Sequence, residues 1–518
     1  MYRFYPLLFY TGLAGMLSLL GLSASPRLSR ARATLTAAWL TLLTLIWLLV
    51  PPDLHWLFSL WSPLPVLRGA LLVDLTPALW RLGLVLGLTM SGVAWVEASE
   101  RRHSSSVGGA LTLLLLLTLW LLISGGSLLL TLTAWAVFDL LLSAELLING
   151  GEGEQVSFTL MLNGFTTLLL WAAALLAGQE GVSTLWWVMW PSRALYAGLM
   201  MAAAVRLGLY PFQLVVSHRQ TEEGVLLRFA TAMQPLLGIV LLARLLTMPG
   251  ALPTPPWFPF LALASLLWGA LLAWMGDPRR SAQWALYAVM GALVAGASWS
   301  GEGEGLLRAT GVWMAAMALL LLHRGVERRR PFTAWPLWMG MGFLLGLPPS
   351  PAGELYRLAL TTLPWAGRGL FLAGLAAALV PLLKAAGREA PARTVPPWPQ
   401  QRVAWLAGMA GIVAALLLNA TVRPPSPVGM VGWGLMLALT VGLFLLSRRA
   451  RGQRVEERLR LGPILDFVGL QWFYRALWRG WDHLLAVVRA AAEIVEGRGA
   501  LIWSLLIVLI TLLMAVKR

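Results

Sequence analysis

Residues 334–364 have the sequence AWPLWMGMGFLLGLPPSPAGELYRLALTTLP, an apolar run that is too long for one straight transmembrane helix. The segment from Gly346 to Pro351 lies in its middle and includes Pro348 and Pro349. Prolines inside a helix remove backbone hydrogen bonds and break it. A broken helix at membrane depth is stable only where protein or a water-lined cavity satisfies the freed backbone groups. The run therefore predicts a membrane protein with an interrupted helix in its interior.

The composition of the whole chain also indicates a membrane protein. Of its 518 residues, 58% are hydrophobic and only 12% are charged, which excludes a disordered chain and a water-soluble enzyme core. Cysteine is absent, so disulfides, thiolate-bound iron–sulfur clusters and a cysteine nucleophile are excluded, and any redox chemistry belongs to a partner. The net charge of +16 comes from 37 Arg and 2 Lys that lie mostly in short loops, which indicates membrane topology and no nucleic-acid partner.

Apolar runs of 17 or more residues recur along the chain, and each can cross a hydrocarbon core of about 30 Å. The predicted fold class is an all-α polytopic membrane protein with about 16 transmembrane helices. Gly208 and Pro211 interrupt the seventh span more mildly than the prolines interrupt the twelfth. The predicted spans are approximately 5–23, 33–50, 77–96, 108–124, 127–148, 158–178, 193–213, 223–246, 257–275, 281–299, 305–322, 334–364, 367–385, 402–420, 427–447 and 499–516.

The basic residues in the loops predict the orientation of the chain. Loops after odd-numbered spans contain twenty Lys and Arg residues, whereas the opposite side contains eight. Because cytoplasmic loops accumulate Lys and Arg, we expect a multi-pass protein of the bacterial plasma membrane with its N-terminus outside. The first span has no small-residue cleavage site behind it and is expected to be a retained helix.

The character of the chain changes after Arg448. Residues 464–495 place tryptophans among charged side chains, so this piece is too polar to span the membrane but keeps an apolar face. Such a segment lies along the membrane interface or against neighbouring helices, and an ordinary amphipathic linker to the last span is the alternative.

Ionisable residues in the middle of a span are costly, so each is a candidate functional residue. Asp139 lies near the middle of the fifth span, Arg206 in the second half of the seventh, and Arg357 just beyond the break of the twelfth. Glu145 and Glu354 are weaker candidates because they lie nearer the ends of their helical segments. Such acids and bases are suited to proton or ion movement in a partly hydrated channel.

Two expectations about contacts follow from the cost of burying a charge. Asp139 and Arg206 should lie within reach of one another, because an unpaired buried charge costs several kcal/mol. The alternative to a transport role for this pair is a static ion pair that fixes helix packing. Arg228 and Arg244 lie near the two ends of the eighth span and are expected to extend to the membrane surface.

The spacing of the two interrupted spans predicts an internal repeat. Arg206 and Arg357 are 151 residues and five spans apart, and because five is odd, the second copy must be inverted in the membrane. The predicted segments are 1–107 (helices 1–3), 108–247 (first five-helix repeat), 257–390 (second, inverted repeat), 402–447 (helices 14 and 15), 448–498 (cytoplasmic or interfacial amphipathic segment) and 499–518 (last transmembrane helix).

No catalytic residue, cofactor site or metal site is predicted. The five histidines show no metal-ligand spacing, and they lie in loops, at span ends or in the interfacial piece. The Gly/Glu turns at 150–153 and 301–305 lack the strand–loop–helix context of a nucleotide site.

Several segments resemble motifs of a known family, the antiporter-like membrane subunits shared by complex I, membrane-bound hydrogenases and Mrp-type cation/proton antiporters. RLGLYPFQ (206–213) resembles the K-x-x-x-x-P-F-H segment of the broken seventh helix. GLPPSPAGELYR (346–357), which includes Gly353, resembles the G-L-P-P-x-x-G-F-x-x-K segment of the broken twelfth. DPRR (277–280) and LLVD (71–74) are similar to the segments before the tenth and third helices. The resemblance covers about residues 5–447, and the residues after 448 are similar to the lateral-helix extension of the distal subunit.

The departures from the family bear on the chemistry. The family carries lysines in helices seven and twelve and a glutamate in helix five, whereas the matching positions here are Arg206, Arg357 and, by placement alone, Asp139. The position at which the family has a basic residue in helix eight falls near Ala230 here, and spans eight and eleven contain no central lysine. A buried lysine can release its proton near neutral pH, whereas arginine stays protonated and is a poor relay.

The resemblance implies a non-catalytic, proton-translocation-type subunit of a complex I-like or Mrp-like bacterial complex, with an altered or degenerate proton pathway. Its expected partners are other membrane subunits of a hetero-oligomeric complex and the lipid bilayer, and no cofactor is expected. One alternative is an active proton or cation channel subunit in which carboxylates and water carry the transfer. Another is a membrane scaffold that binds a cytoplasmic enzyme.

Overall fold

The computed structural model describes residues 4–22, 29–64, 67–99, 106–148, 153–213, 225–275, 278–323, 331–347, 350–386 and 399–419, with a few positions between 434 and 486. The chain divides into two compact units, Met1–Gly452 and Gln453–Arg518. The second unit falls almost entirely outside the described residues. The predicted fifteenth span, the amphipathic segment and the last span therefore also lie largely or wholly outside them.

Most of the described chain is helical. Each of the first fourteen predicted spans coincides with one helix or with two consecutive helices. The helices are α1 (Phe4–Gly21), α2 (Ser29–Leu49), α3 (Pro77–Ser99), α4 (Ser106–Ile123), α5 (Leu128–Ile148), α6 (Gly153–Gln179), α7 (Arg193–Arg206), α8 (Val225–Thr231), α9 (Gln234–Thr247), α10 (Trp257–Met275), α11 (Pro278–Ser300), α12 (Gly303–His323), α13 (Pro331–Leu344), α14 (Pro351–Thr362), α15 (Trp365–Ala386) and α16 (Pro399–Leu418).

Many of these helices are long and apolar enough to cross a membrane. Nine such segments are found within the described residues, the first at Phe4–Gly21 and the last at Trp365–Lys384. Shorter apolar helices at Val107–Ile123 and Arg402–Leu418 accompany them. The predicted multi-pass membrane protein is confirmed, while the total of sixteen spans and the inverted repeat stay predictions.

The prediction of an all-α fold is wrong between the second and third spans. Strands β1 (Leu54–Leu64) and β2 (Leu67–Leu75) form an antiparallel hairpin whose register pairs Leu54 with Leu75. The backbone amide of Asp74 also donates to the carbonyl of Ser124 (2.7 Å), at the end of α4. A hydropathy window detects apolar runs that are long enough for a transmembrane helix. It misses a hairpin whose two strands are each shorter than such a run.

The twelfth span is broken as predicted. Helix α13 ends at Leu344, Gly346 has a φ of +81°, and α14 begins at Pro351 with the Ser350 side chain as its N-cap. The freed carbonyls find side-chain donors: Ser350 Oγ donates to Phe343 O (2.5 Å) and Tyr356 OH to Leu344 O (3.0 Å). A Cβ atom at Gly353 would collide with the Gly346 carbonyl, so this close approach requires glycine. Pro348 and Pro349 lie outside the described residues.

The seventh span is interrupted where Gly208 and Pro211 predicted it. Helix α7 ends at Arg206, and Gly208 follows with a φ of +67°. Tyr287 OH from α11 donates to Gly208 O (2.6 Å), and the Tyr210 amide donates to Ser265 Oγ of α10 (2.7 Å). Neighbouring helices therefore satisfy the backbone at this break, as its depth in the membrane requires.

The eighth span contains a break that the sequence analysis did not predict. It consists of α8, which ends at Thr231, and α9, which begins at Gln234. Pro235 lies at the second position of α9 and has no backbone N–H to continue the hydrogen-bond ladder of α8. The run 223–246 is apolar on average despite Arg228, Gln234 and Arg244, so hydropathy alone represents it as one helix.

Candidate functional site: a buried ion pair in the helix core

Helices α5 and α7 bring Asp139 and Arg206 together inside the protein. Asp139 lies 11 residues into α5, and Arg206 is the last residue of α7. The distance between Arg206 Nη2 and Asp139 Oδ1 is 2.5 Å, and the side chains are 0% and 10% exposed. The predicted contact between the two residues is confirmed. Because the break after Arg206 ends the helix there, the guanidinium stands at the interruption of the seventh span.

Polar side chains of α6 surround this ion pair. Thr167 Oγ1 donates to Asp139 Oδ2 (2.8 Å), and Arg206 Nη1 donates to Thr166 Oγ1 (3.3 Å). Thr166 Oγ1 donates in turn to the backbone carbonyl of Asn163 (2.6 Å), and Asn163 Oδ1 accepts from Gln234 Nε2 (2.5 Å). The buried pair therefore belongs to a polar row that runs from α5 through α6 and α7 to the break in the eighth span.

Two aromatic rings of α5 lie beside the guanidinium. Arg206 Cζ is 5.2 Å from the centre of the Trp135 ring and 5.7 Å from that of Phe138. Both distances suit cation–π attraction, which gains strength away from water. The two rings and the Asp139 carboxylate together stabilise the positive charge of the guanidinium inside the protein.

A second buried ion pair lies at the hairpin, where the sequence analysis placed no functional group. Arg244 Nη1 contacts Asp74 Oδ2 at 2.6 Å, and Arg244 Nη2 donates to the Asp74 carbonyl at 2.5 Å. His55 Nδ1 lies 2.8 Å from the other carboxylate oxygen of Asp74. The expectation that Arg244 extends to the membrane surface is wrong, because the guanidinium finds these acceptors within the protein and is only 7% exposed.

Arg357 lies in a different environment from Arg206. It pairs with Glu354 on its own helix, with Arg357 Nε 3.0 Å from Glu354 Oε2, and the two side chains are 28% and 47% exposed. Their neighbour Leu355 packs against Gly296 and Gly305, on either side of the turn between α11 and α12. The pair therefore lies near the level of that turn, and it is not part of the Asp139 cluster.

The remaining acidic residues include one predicted candidate and one that was missed. Glu145, a predicted candidate, is 1% exposed on α5, six residues beyond Asp139. Glu97 of α3 was not predicted; its Oε2 accepts the Leu226 amide (2.7 Å) in the first turn of α8. The amides Asn163 and Gln234 were also missed, although uncharged amides within apolar spans are a signal that could have identified them.

Comparisons with known proteins find similar folds among solved structures but no matching family model and no matching sequence. No family model matches the chain, and no curated protein matches its sequence. Similar folds occur in solved structures of multi-subunit membrane complexes, at 14–20% sequence identity. This likeness matches the resemblance drawn from the broken-helix motifs.

Three of these structures represent three kinds of complex. A chain of the Mrp complex from Dietzia sp. DQ12-45-1b has a TM-score of 0.65 at 18% identity; the match covers 98% of this chain and 63% of that one. A chain of the archaeal membrane-bound sulfane sulfur reductase has a TM-score of 0.63 at 14% identity, covering 98% and 99%. A chain of respiratory complex I from Thermus thermophilus has a TM-score of 0.61 at 20% identity, covering 84% and 99%. The chain thus spans about two-thirds of the Mrp chain and nearly all of the other two.

Proposed function

We propose that this chain is an antiporter-like membrane subunit of a complex I-like or Mrp-like bacterial complex, in which the usual lysine-based proton relay is lost or altered. The observation that carries the proposal is the Asp139–Arg206 pair. Arg206 occupies the position at which the resembled family has a lysine, and it is buried, paired and flanked by two aromatic rings. Other membrane subunits of the same complex are its proposed partners.

The chemistry of arginine is the physical basis for the altered relay. The guanidinium keeps its proton when buried, so it cannot alternate between charged and neutral forms as a lysine can. The guanidinium of Arg206 forms a salt bridge with the carboxylate of Asp139, so the two formal charges balance each other inside the helix core. The pair then works as a fixed electrostatic element of the helix core.

An active channel is the second candidate, and one observation favours it. Asp139 accepts from Thr167 and Arg206, Arg206 also donates to Thr166, and Asn163 accepts from Gln234. Polar side chains of α5, α6, α7 and α9 therefore lie in one row. Such groups can order water, and a proton could pass through carboxylates and water while Arg206 supplies a fixed charge. Both candidates share the prediction that the proton of Arg206 is not itself transferred.

Proton flux in vesicles that contain the whole complex tests this proposal. We expect Arg206→Lys to leave any flux of the wild-type complex in place and to change its pH dependence, because a buried lysine can titrate in the working range and arginine cannot. Arg357→Lys is the matched control, and at its partly exposed position we expect no change in the pH profile. A complex that pumps protons and stops pumping when Arg206 becomes lysine would contradict the proposal, because it would show that arginine itself takes part in proton transport.

Cysteine labelling tests the proposed orientation in the bacterial plasma membrane. The chain has no native cysteine, so single-cysteine variants report one position each. We expect Arg329→Cys, in a loop outside the described residues, to react only from the cytoplasmic side. Glu304→Cys, in the first turn of α12 with its side chain 63% exposed, should react from the periplasmic side. Labelling of position 329 from outside intact cells would show that the chain has the opposite orientation in the membrane.

A further inference from the structure

Helix α15 has a contact between a cation and a tryptophan ring near each of its ends. Near its start, Arg368 Cζ lies 5.1 Å from the centre of the Trp365 ring. Near its end, Lys384 Nζ lies 4.9 Å from the centre of the Trp274 ring, which belongs to α10. The two cations are 16 residues apart, which corresponds to about 24 Å along a helix. Because tryptophan and long basic side chains collect at membrane–water interfaces, the two contacts indicate where α15 enters and leaves the hydrocarbon core.

The contact at Arg368 belongs to a helix cap. Arg368 Nε donates to Leu363 O (2.7 Å), and Nη2 donates to Thr361 O (3.3 Å). These carbonyls lie at the end of α14, where the last turn of a helix leaves acceptors without helical donors. The cap accounts for an arginine at this position without any ligand.

The tryptophan beside Lys384 is held in place by an interruption of α15. Pro381 lies inside this helix and has no backbone N–H, so the carbonyl of Ala377, four residues earlier, lacks its usual helical donor. Trp274 Nε1 donates to this carbonyl (2.6 Å). The bond fixes the indole across the seam between α10 and α15, where its ring contacts the ammonium group. The position of the cation is therefore set by two helices together.

The surface of α10 that leads to Lys384 is apolar. Phe260, Leu271 and Trp274 are exposed, and their spacing of 11 and three residues places them on one face of the helix. On α15, Leu370 is exposed as well. The stripe on α10 suits the acyl chains of a lipid, and Lys384 lies at its end, at the level of a headgroup. A free anion could use only the cation, whereas a phospholipid uses both.

The sequence adds positive charge at this end of α10 and α15. Arg279 and Arg280 lie in the first turn of α11, four and five residues after the end of α10, and Arg388 follows two residues after α15. The proposed orientation makes this the cytoplasmic end. Clusters of basic residues between helices on that side of a membrane attract anionic headgroups.

We infer that Lys384 and Trp274 form the headgroup end of a binding site for an anionic phospholipid, whose acyl chains lie along the exposed stripe of α10. An ammonium group has three donors and can hold a phosphate oxygen together with other partners. The indole, fixed by the Ala377 carbonyl, keeps the ammonium at the seam between the two helices. This inference does not depend on whether the chain conducts protons.

Fluorescence quenching by brominated lipids tests this site in the whole complex, reconstituted into vesicles. Leu271→Cys, labelled with a dansyl group, reports on the stripe three residues before Trp274, and the signal of labelled complex without this cysteine is subtracted. Quenching in mixtures of phosphatidylglycerol and phosphatidylcholine, with one lipid brominated at a time, gives the ratio of their binding constants at this position. We expect a preference for phosphatidylglycerol that Lys384→Gln lowers about fivefold, the usual contribution of one basic residue near a membrane surface.

Two further variants serve as controls. Lys384→Arg keeps the charge and should keep the preference, and Arg368→Gln removes the cation at the other end of α15 and should leave the ratio at position 271 unchanged. An equal ratio in Lys384→Gln and in its parent would overturn the inference and leave an ordinary interfacial lysine. Reversal of the quenching by inorganic phosphate would identify a site for a free anion, and an absence of quenching by either lipid would show that a protein covers the stripe. Either result would also overturn the inference.

Discussion

Replacing Asp139 with alanine is expected to destabilise the protein by about 3–5 kcal/mol, because the change leaves the fully buried Arg206 without its counter-charge. The hydrogen bond from Thr167 is lost as well. We expect a lower yield of assembled complex in the membrane and a lower unfolding temperature of the purified chain. Thermal unfolding in detergent, followed by intrinsic fluorescence, measures the second effect.

The double variant Asp139→Ala, Arg206→Leu separates the cost of an unpaired charge from the cost of lost packing. It should recover part of the stability, because removing both partners leaves no uncompensated charge. The exposed pair provides the matched control: Glu354→Ala should cost no more than about 1 kcal/mol, since a pair partly in solvent contributes little. If Asp139→Ala were no more damaging than Glu354→Ala, the buried pair would not be the strong contact that its geometry indicates.

Replacing Arg244 with leucine is expected to have an effect of similar size, centred on the hairpin. The change leaves the Asp74 carboxylate buried beside His55, and it removes a donor from the Asp74 carbonyl. A carboxylate left in this state costs about 3–5 kcal/mol. Because Asp74 belongs to β2, the loss should loosen the attachment of the hairpin to α4 and α9. Hydrogen exchange at the Asp74 amide, which is bonded to Ser124 O, is expected to accelerate.

His55→Ala provides the control for this prediction. Its side chain is 67% exposed, so its contact with Asp74 is worth no more than about 1 kcal/mol. Slow exchange at the Asp74 amide should persist in this variant. The Asp74 amide donates to Ser124 O, and the Gly126 amide donates to Leu72 O. If exchange were unchanged in Arg244→Leu, these two backbone bonds would be sufficient to hold the hairpin, and the ion pair would be dispensable.

Much of the fold could be predicted from local sequence. The first fourteen spans follow from runs of apolar residues, because a helix of about 20 such residues satisfies its own backbone in lipid. The breaks at Gly208 and at Gly346 follow from glycine and proline chemistry, which acts within a few residues. The Asp139–Arg206 contact could be predicted because the cost of burying either charge alone is so large.

The misses have a different origin. Arg244 and Arg357 were both assigned from their positions within a span. Arg244 is held inside because Asp74, 170 residues earlier in the chain, brings a carboxylate and a carbonyl to the end of α9. Arg357 is partly exposed because the break before α14 places it near the turn between α11 and α12. Position along a span does not specify what lies opposite a side chain in a neighbouring helix.

The sequence by itself therefore determined which segments can span the membrane and where the seventh and twelfth spans are interrupted, because hydropathy, proline and glycine act locally on the backbone. Only the tertiary structure decided which polar groups meet. Tyr287 reaches the carbonyl freed at Gly208, and Gln234 meets Asn163 across α6 and α9, through contacts between residues 71 to 79 positions apart. The packing of helices also decided that Arg206 is enclosed while Arg357 is not. Burial and pairing are properties of the surroundings of a residue, and those surroundings are assembled from distant parts of the chain.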